Sequence, residues 1–246
     1  MATDTNSPPP NSRPRVICHM VTGLDARVDV SSWCATEGVE RSDQTDLYYE
    51  LMRGFGARGY IVGRVTMAPY ATGMAEDPGG AAPARRLHLG VNRDLPLAVV
   101  LDPSGKLHWE SGVLDGEHLV MVLGPDVPDG HLRELASRSI SYLVSPTQRI
   151  DPDWLLAELA EHFGATLMLV EGGGVINGLF LEAGLIDEFS LLMIPALDGR
   201  EGARNLVETS RSMTELKLSL KSVEALEHQA VHLRYAVNRD TSVRVG

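Results

Sequence analysis

The chain has 246 residues, 43% hydrophobic and 22% charged, which is apolar enough to bury a core and too apolar for a disordered chain. Its net charge of −11, from 22 Lys+Arg against 33 Asp+Glu, argues against a protein held on nucleic acid by phosphate neutralisation and gives no support to an anionic membrane surface as partner. No apolar run approaches the ~18 residues of a transmembrane helix, and two cysteines, Cys18 and Cys34, cannot build a disulfide framework, so a protein of the reducing cytoplasm is expected.

Residues 1–14 hold Pro8, Pro9, Pro10 and Pro14 and lack the apolar core of a signal peptide, so they read as a disordered tail. Residues 15–246 read as one domain, because no linker interrupts the pattern that follows. Short apolar runs recur at Val16–Val21, Tyr60–Val62, Leu97–Leu101, Leu119–Leu123, Ile140–Val144, Thr166–Val170 and Phe189–Ile194. Their length, their Val, Ile and Leu content and their turn-forming borders mark buried strands. Helical spacing lies between several of them. Leu47, Leu51 and Phe55 recur four apart within Gln44–Arg58. Asp151 can cap a helix to His162, with Pro152 in its first turn and Gly164 past its end. Ile176, Leu179, Phe180 and Ala183 share a stripe over Val175–Ala183, and His131–Ser137 offers a shorter helix. Near the end the period becomes two: Leu216, Leu218 and Leu220, then Val231, Leu233, Tyr235 and Val237, a hairpin turning near Glu227-His228. Alternating strands and helices followed by an antiparallel edge predict an α/β domain with a mostly parallel sheet.

The most informative stretch is Val170-Glu171-Gly172-Gly173-Gly174-Val175-Ile176-Asn177-Gly178, a buried strand running through three glycines into a helix. A backbone without Cβ atoms admits a ligand closely, and the helix's first N–H groups favour an anion. The spacing is neither the alternating-glycine dinucleotide fingerprint nor a phosphate loop with its Lys. A tight turn without a ligand is the alternative. A second loop, Gly63-Arg64-Val65-Thr66, again follows a strand, and its Arg and Thr suit a phosphate. Ligands of open α/β sheets bind at such strand ends.

Together these segments resemble the reductase (C-terminal) domain of the bifunctional riboflavin-biosynthesis deaminase/reductase, within the wider dihydrofolate-reductase-like family. The likeness runs from about Arg15 to Val237 and also draws on Met20–Arg27, Val99–Asp102, Ala183–Glu188, Pro195–Gly199 and Leu233-Arg234-Tyr235. It implies a central sheet of about nine strands flanked by helices, NADPH as hydride donor, a small heterocyclic substrate and a homodimer. It places Thr22, Asp25, Trp33, Gly63, Arg64, Thr66 and Asp102 on the cofactor, with Gly172, Gly173, Gly174, Val175, Ile176, Asn177 and Gly178 around its pyrophosphate. Ser32 and Glu171 face the substrate, and Glu171 is the candidate catalytic residue, positioning an amine or hydroxyl or assisting protonation. Asp25 reads more as a residue that shapes its turn than as a proton donor.

The chain departs from the riboflavin enzymes at Met67–Gly73, where they carry an Arg that holds the ribose phosphate; Arg85 or Arg86 is the available substitute. The zinc-deaminase signature is absent. The expected activity is reduction of a ribosylamino group to a ribityl group at C1. The alternatives are a dihydrofolate-type reductase using Asp43, Asp46 or Glu50 on the first helix, and a non-catalytic NADP-binding protein. No metal site is predicted, since His228 and His232 would share a helix face only in a segment that reads as a strand.

Overall fold

The computed structural model describes residues 13–28, 37–81 and 83–238. The predicted tail as far as residue 12, and Ser32, Trp33 and Cys34, lie outside these residues.

The strands are β1 (Arg15–Thr22), β2 (Gly59–Gly63), β3 (Leu87–His88), β4 (Leu97–Leu101), β5 (Val113–Leu114), β6 (Glu117–Leu123), β7 (Ser141–Val144), β8 (Leu167–Val170), β9 (Glu188–Met193), β10 (Lys217–Ala225) and β11 (Val231–Asn238). They form one sheet of 11 strands in the order β10-β11-β9-β1-β8-β2-β4-β6-β7-β3, with β5 beside β6. The pairs from β9 through β7 are parallel, while β10, β11, β3 and β5 pair antiparallel. The sheet exceeds the expected nine strands by β3 and β5, two-residue pieces too short to leave a periodic signal.

The helices are α1 (Arg41–Gly54), α2 (Arg64–Met67), α3 (Asp129–Ser137), α4 (Pro152–Phe163) and α5 (Gly174–Glu182). α1 starts before the apolar stripe because Glu40 and Asp43 form a reciprocal capping box, and it ends where Gly56 takes a φ of 60°. Asp151 caps α4 by accepting from the Asp153 N–H at 3.0 Å, and Gly164 closes it at φ 62°. α4 and α5 cover one face, setting Leu155, Leu159, Phe163 and Phe180 on Cys18, Ile61, Met168 and Val170. On the other face α3 packs Leu132 and Leu135 over Val100, Leu119 and Met121, and α1 packs Leu47, Tyr48 and Leu51 around Leu192 and Ile194. Coverage on both sides explains why the central strands read as unbroken apolar runs.

β10 departs from this pattern. Its exposed Leu218, Leu220 and Val223 stand opposite Val237, Tyr235 and Leu233, and a bulge between Leu220 and Ser222 keeps all three on one face. On β9, level with the start of β10, the buried Glu188 carboxylate gathers Arg15, Lys221 and Arg234 from three strands. Arg13 pairs with Asp187 at 2.9 Å, so the chain is already held two residues before β1. No helix among the described residues is long and apolar enough to cross a membrane.

Candidate active site

Because β1, β8, β2 and β4 are parallel, their carboxyl ends open on one edge. That edge collects Thr22, Glu171 with the glycines, Gly63-Arg64 and Asp102. The glycine loop is built tightly. The Glu171 N–H donates to the Ile61 carbonyl at 3.0 Å, and Gly173, at φ −65° and ψ 174°, is the N-cap of α5. Its carbonyl accepts from the Ile176 and Asn177 N–H groups at 2.9 and 3.1 Å.

The glycines differ in what surrounds them. At Gly172 a Cβ would meet the Ile176 side chain, and at Gly63 it would lie 3.1 Å from Ile176 Cγ1. At Gly174 it would lie 2.6 Å from the Asn205 carbonyl, and at Gly178 the Glu208 carbonyl occupies its place. The Glu208 N–H also donates to the Gly174 carbonyl at 2.9 Å, and buried Asn177 donates from Nδ2 to the Leu206 carbonyl at 2.8 Å. These positions bring β2, α5 and the 205–208 segment together. Gly173 alone in the loop faces open space, with nothing within 4 Å of a Cβ. Beside α5, a groove of about 410 Å³ runs between Leu101 and Pro103 on one side and Val175, Ile176 and Leu179 on the other.

The second loop is also turned inward in part. Asp102 is fully buried and accepts from the Lys106 and Leu107 N–H groups at 2.6 and 2.8 Å and from Ser104 Oγ at 3.3 Å. Arg64 opens α2 with its Nε 3.8 Å from Asp102 Oδ1 and 38% of its side chain exposed, so the guanidinium is anchored at one end and available at the other. Thr66 is exposed on the same short helix, Thr22 is buried at the end of β1, and Asp25 shapes a turn. Asp25 Oδ2 accepts from the Asp198 and Gly199 N–H groups at 3.0 and 2.9 Å, and these bonds, that from Gly199 foremost, hold its carboxyl below the usual carboxylate range.

Glu171 is the chemically unusual residue of the edge. Its Oε1 is enclosed and has no hydrogen-bond partner among the described residues. Burial pushes its pKa up to about 8; the neighbouring Tyr48 hydroxyl opposes the rise and the Glu117 carboxylate adds to it. At neutral pH it is therefore mostly the neutral acid, able to donate a proton. Tyr48 stacks on buried His19, ring centroids 4.4 Å apart at 9°, and His19 reaches Ser190 Oγ at 3.0 Å. Tyr60 donates to Glu117 Oε2 at 2.6 Å, and half-exposed Tyr49 lies in the field of both Glu171 and Glu117. Sequence reasoning passed over these tyrosines and Glu117. The adjacent Tyr48-Tyr49 pair beside the Leu47–Leu51–Phe55 stripe is visible in the sequence, but nothing local ties it, Tyr60 or Glu117 to Glu171. Asp43, considered for a folate role, is used in the α1 cap, accepting from the Glu40 N–H at 2.8 Å. Arg85 and Arg86 precede β3, at the sheet edge separated from β8 by β2, β4, β6 and β7, and pair with Asp129 and Glu158.

Residues 14–232 match the family model described as the RibD C-terminal domain. The chain is 29% identical over 205 residues to the 2,5-diamino-6-ribosylamino-4(3H)-pyrimidinone 5′-phosphate reductase of Methanothermobacter thermautotrophicus, covering 80% of this chain and 84% of that protein. Among solved structures, a pyrimidine reductase-like protein of Corynebacterium diphtheriae superposes with a TM-score of 0.65 at 19% identity, over 92% of this chain and 93% of that one. Acinetobacter baumannii RibD gives 0.61 at 21% identity, over 92% of this chain and 58% of its own. At these identities the two structures show a shared fold.

Proposed function

The chain belongs to the RibD C-terminal domain family, and from that premise we propose that it is an NADPH-dependent reductase of a ribosylaminopyrimidine phosphate, reducing C1 of the ribosylamino group to give a ribityl chain. One observation carries the reading: Glu171, whose Oε1 is enclosed, stands two residues before Gly173, the open glycine of a strand-to-helix loop. The name borne by the methanogen relative supports the substrate class. The open space at Gly173, the first N–H groups of α5 and the adjoining groove suit a dinucleotide, and Arg64 suits its adenosine phosphate.

When bound, the nicotinamide supplies a hydride. The chain's residues supply the remainder. Enclosure of the carboxyl keeps Glu171 protonated by withholding water from it, against the opposing hydrogen bond of Tyr48. In the open-chain imine of the substrate, C1 is joined to nitrogen by a double bond. As C1 gains the hydride, the nitrogen takes the Glu171 proton, leaving a secondary amine and a carboxylate that is reprotonated from solvent. The half-exposed faces of Tyr49 and Tyr70 offer flat apolar surface for a pyrimidine ring.

A homodimer follows from the same reading and is supported by the apolar face of β10, where Leu218, Leu220 and Val223 are exposed. The deciding experiment is NADPH oxidation with the ribosylaminopyrimidine phosphate and, in parallel, with dihydrofolate. Turnover of the first alone is expected. Turnover of dihydrofolate alone would reverse the substrate assignment, and NADPH binding without turnover of either would favour a non-catalytic role.

A further inference from the structure

α3 carries His131 and Glu134 three residues apart, hence on one helix face, and the loop after β4 brings His108 to them. His108 Nδ1 lies 2.9 Å from Glu134 Oε2, and His131 Nδ1 lies 3.6 Å from the same oxygen. The two imidazole rings are 5.1 Å apart and nearly perpendicular, at 86°. One donor atom from each residue lies within 4.8 Å of the other two. The His131 and Glu134 side chains are only 5% and 3% exposed. Neither ring nitrogen of His131 has a hydrogen-bond partner among the described residues. An imidazole enclosed with both nitrogens unpaired is costly unless something else occupies them.

We propose that His108, His131 and Glu134 form a site for one divalent cation of the zinc class. Two imidazoles and a carboxylate are a familiar zinc donor set, with a fourth position left for water. Tetrahedral bonds of about 2.0–2.1 Å set neighbouring donor atoms about 3.3 Å apart, between the two distances to Glu134 Oε2. The carboxylate is already held in place: Arg138 Nη1 donates to Glu134 Oε1 at 2.7 Å and the Glu76 N–H donates to Oε2 at 3.3 Å, while His108 Nδ1 faces both oxygens at 3.0 and 2.9 Å. That guanidinium repels a dication, but Glu76 stands 3.4 Å from Arg138, and the Asp102 carboxylate acts on His131. The cation would fasten the loop after β4 to α3. The same helix anchors the 74–77 segment through Arg138 to the Met74 carbonyl at 3.0 Å and Arg133 to Asp77 at 2.7 Å. His108 follows the Asp102 turn that steadies Arg64, so the metal would stiffen one wall of the cofactor groove without touching the reacting atoms.

The test uses tag-free full-length protein stripped with a chelator and titrated with Zn²⁺, then with Co²⁺. The expected result is one saturable equivalent and intense visible absorption from tetrahedral Co²⁺. At a hundredfold excess over Kd the unfolding midpoint should rise by about 5–10 °C. His131→Ala should lose the equivalent, and His108→Ala, at a partly exposed position where truncation spares the core, should lose it too. Absence of saturable uptake, or uptake unchanged in His108→Ala and His131→Ala, would overturn the proposal. None of these readouts involves turnover, so the reductase reading stands or falls separately.

Discussion

Glu171→Gln tests whether the edge of the sheet holds a protonated acid. Burial lifts this carboxyl from 4.5 to about 8. Below pH 4.5 it is protonated in folded and unfolded chains alike, and Gln is close to its equal. From there upward the unfolded chain releases its proton while the folded chain keeps it, so the folded wild type becomes progressively less stable relative to the variant. The difference stops growing above pH 8, where both chains have ionised. At about 1.4 kcal/mol per pKa unit the ceiling is roughly 5 kcal/mol. Part of the residue reaches solvent, and water drawn to the carboxylate shields it, so an effect on the order of 2 kcal/mol is expected. Guanidinium unfolding of both proteins at about pH 5 and about pH 9 reads the difference directly. The variant should gain on the wild type at the alkaline end only. In NADPH oxidation, loss of the proton donor should lower kcat by about 10²–10⁴-fold, while the wild-type kcat declines above pH 8. Parallel stability of the two proteins at both pH values would refute the buried-acid reasoning. Unchanged turnover would remove Glu171 from the chemistry.

Gly173→Val should weaken NADPH binding by about tenfold or more, 1.4 kcal/mol in affinity, with little change in unfolding midpoint, because its Cβ meets nothing in the protein. Gly178→Ala is the converse control: it forces the Glu208 backbone aside and should cost about 1–3 kcal/mol of stability. Equal NADPH affinity in Gly173→Val would take the ligand away from the loop. Arg64→Ala should raise the KM for NADPH by about 10–100-fold, the worth of a charge-assisted phosphate contact, while leaving NADH unaffected; equal losses with both cofactors would show that Arg64 does not hold the adenosine phosphate. On the proposed homodimer, the wild type should sediment as a dimer and Leu218→Lys with Leu220→Lys as a monomer; a monomeric wild type would refute the dimer, and an unshifted variant would remove β10 from its interface.

The fold was legible where one physical signal dominated. Buried parallel strands must be apolar on both faces, so β1, β4 and β8 announce themselves as runs. Asp151, Pro152 and Gly164 bracket α4 because caps act locally. β3 and β5 were invisible because two residues carry no period, and α1 begins early because its capping box precedes the apolar stripe. Within the site, Glu171 could be placed by its position after a buried strand. Its company could not: Tyr48, Tyr60 and Glu117 come from α1, β2 and β6, and only the sheet order and the packing of α1 on the sheet bring them near it.

The amino-acid sequence by itself determined the family, the α/β architecture and the strand-to-helix glycine loop, since each rests on periodicity, local caps or contiguous residues. The tertiary structure decided what each glycine is for. A run of glycines states only that side chains are excluded, not by what. At Gly172, Gly174 and Gly178 the excluding neighbour is the protein's own chain, Ile176 or the 205–208 segment. At Gly173 it is open space. The same holds for charge: a glutamate in sequence carries its ordinary acidity, and only enclosure among distant residues turns Glu171 into an acid that keeps its proton near neutral pH.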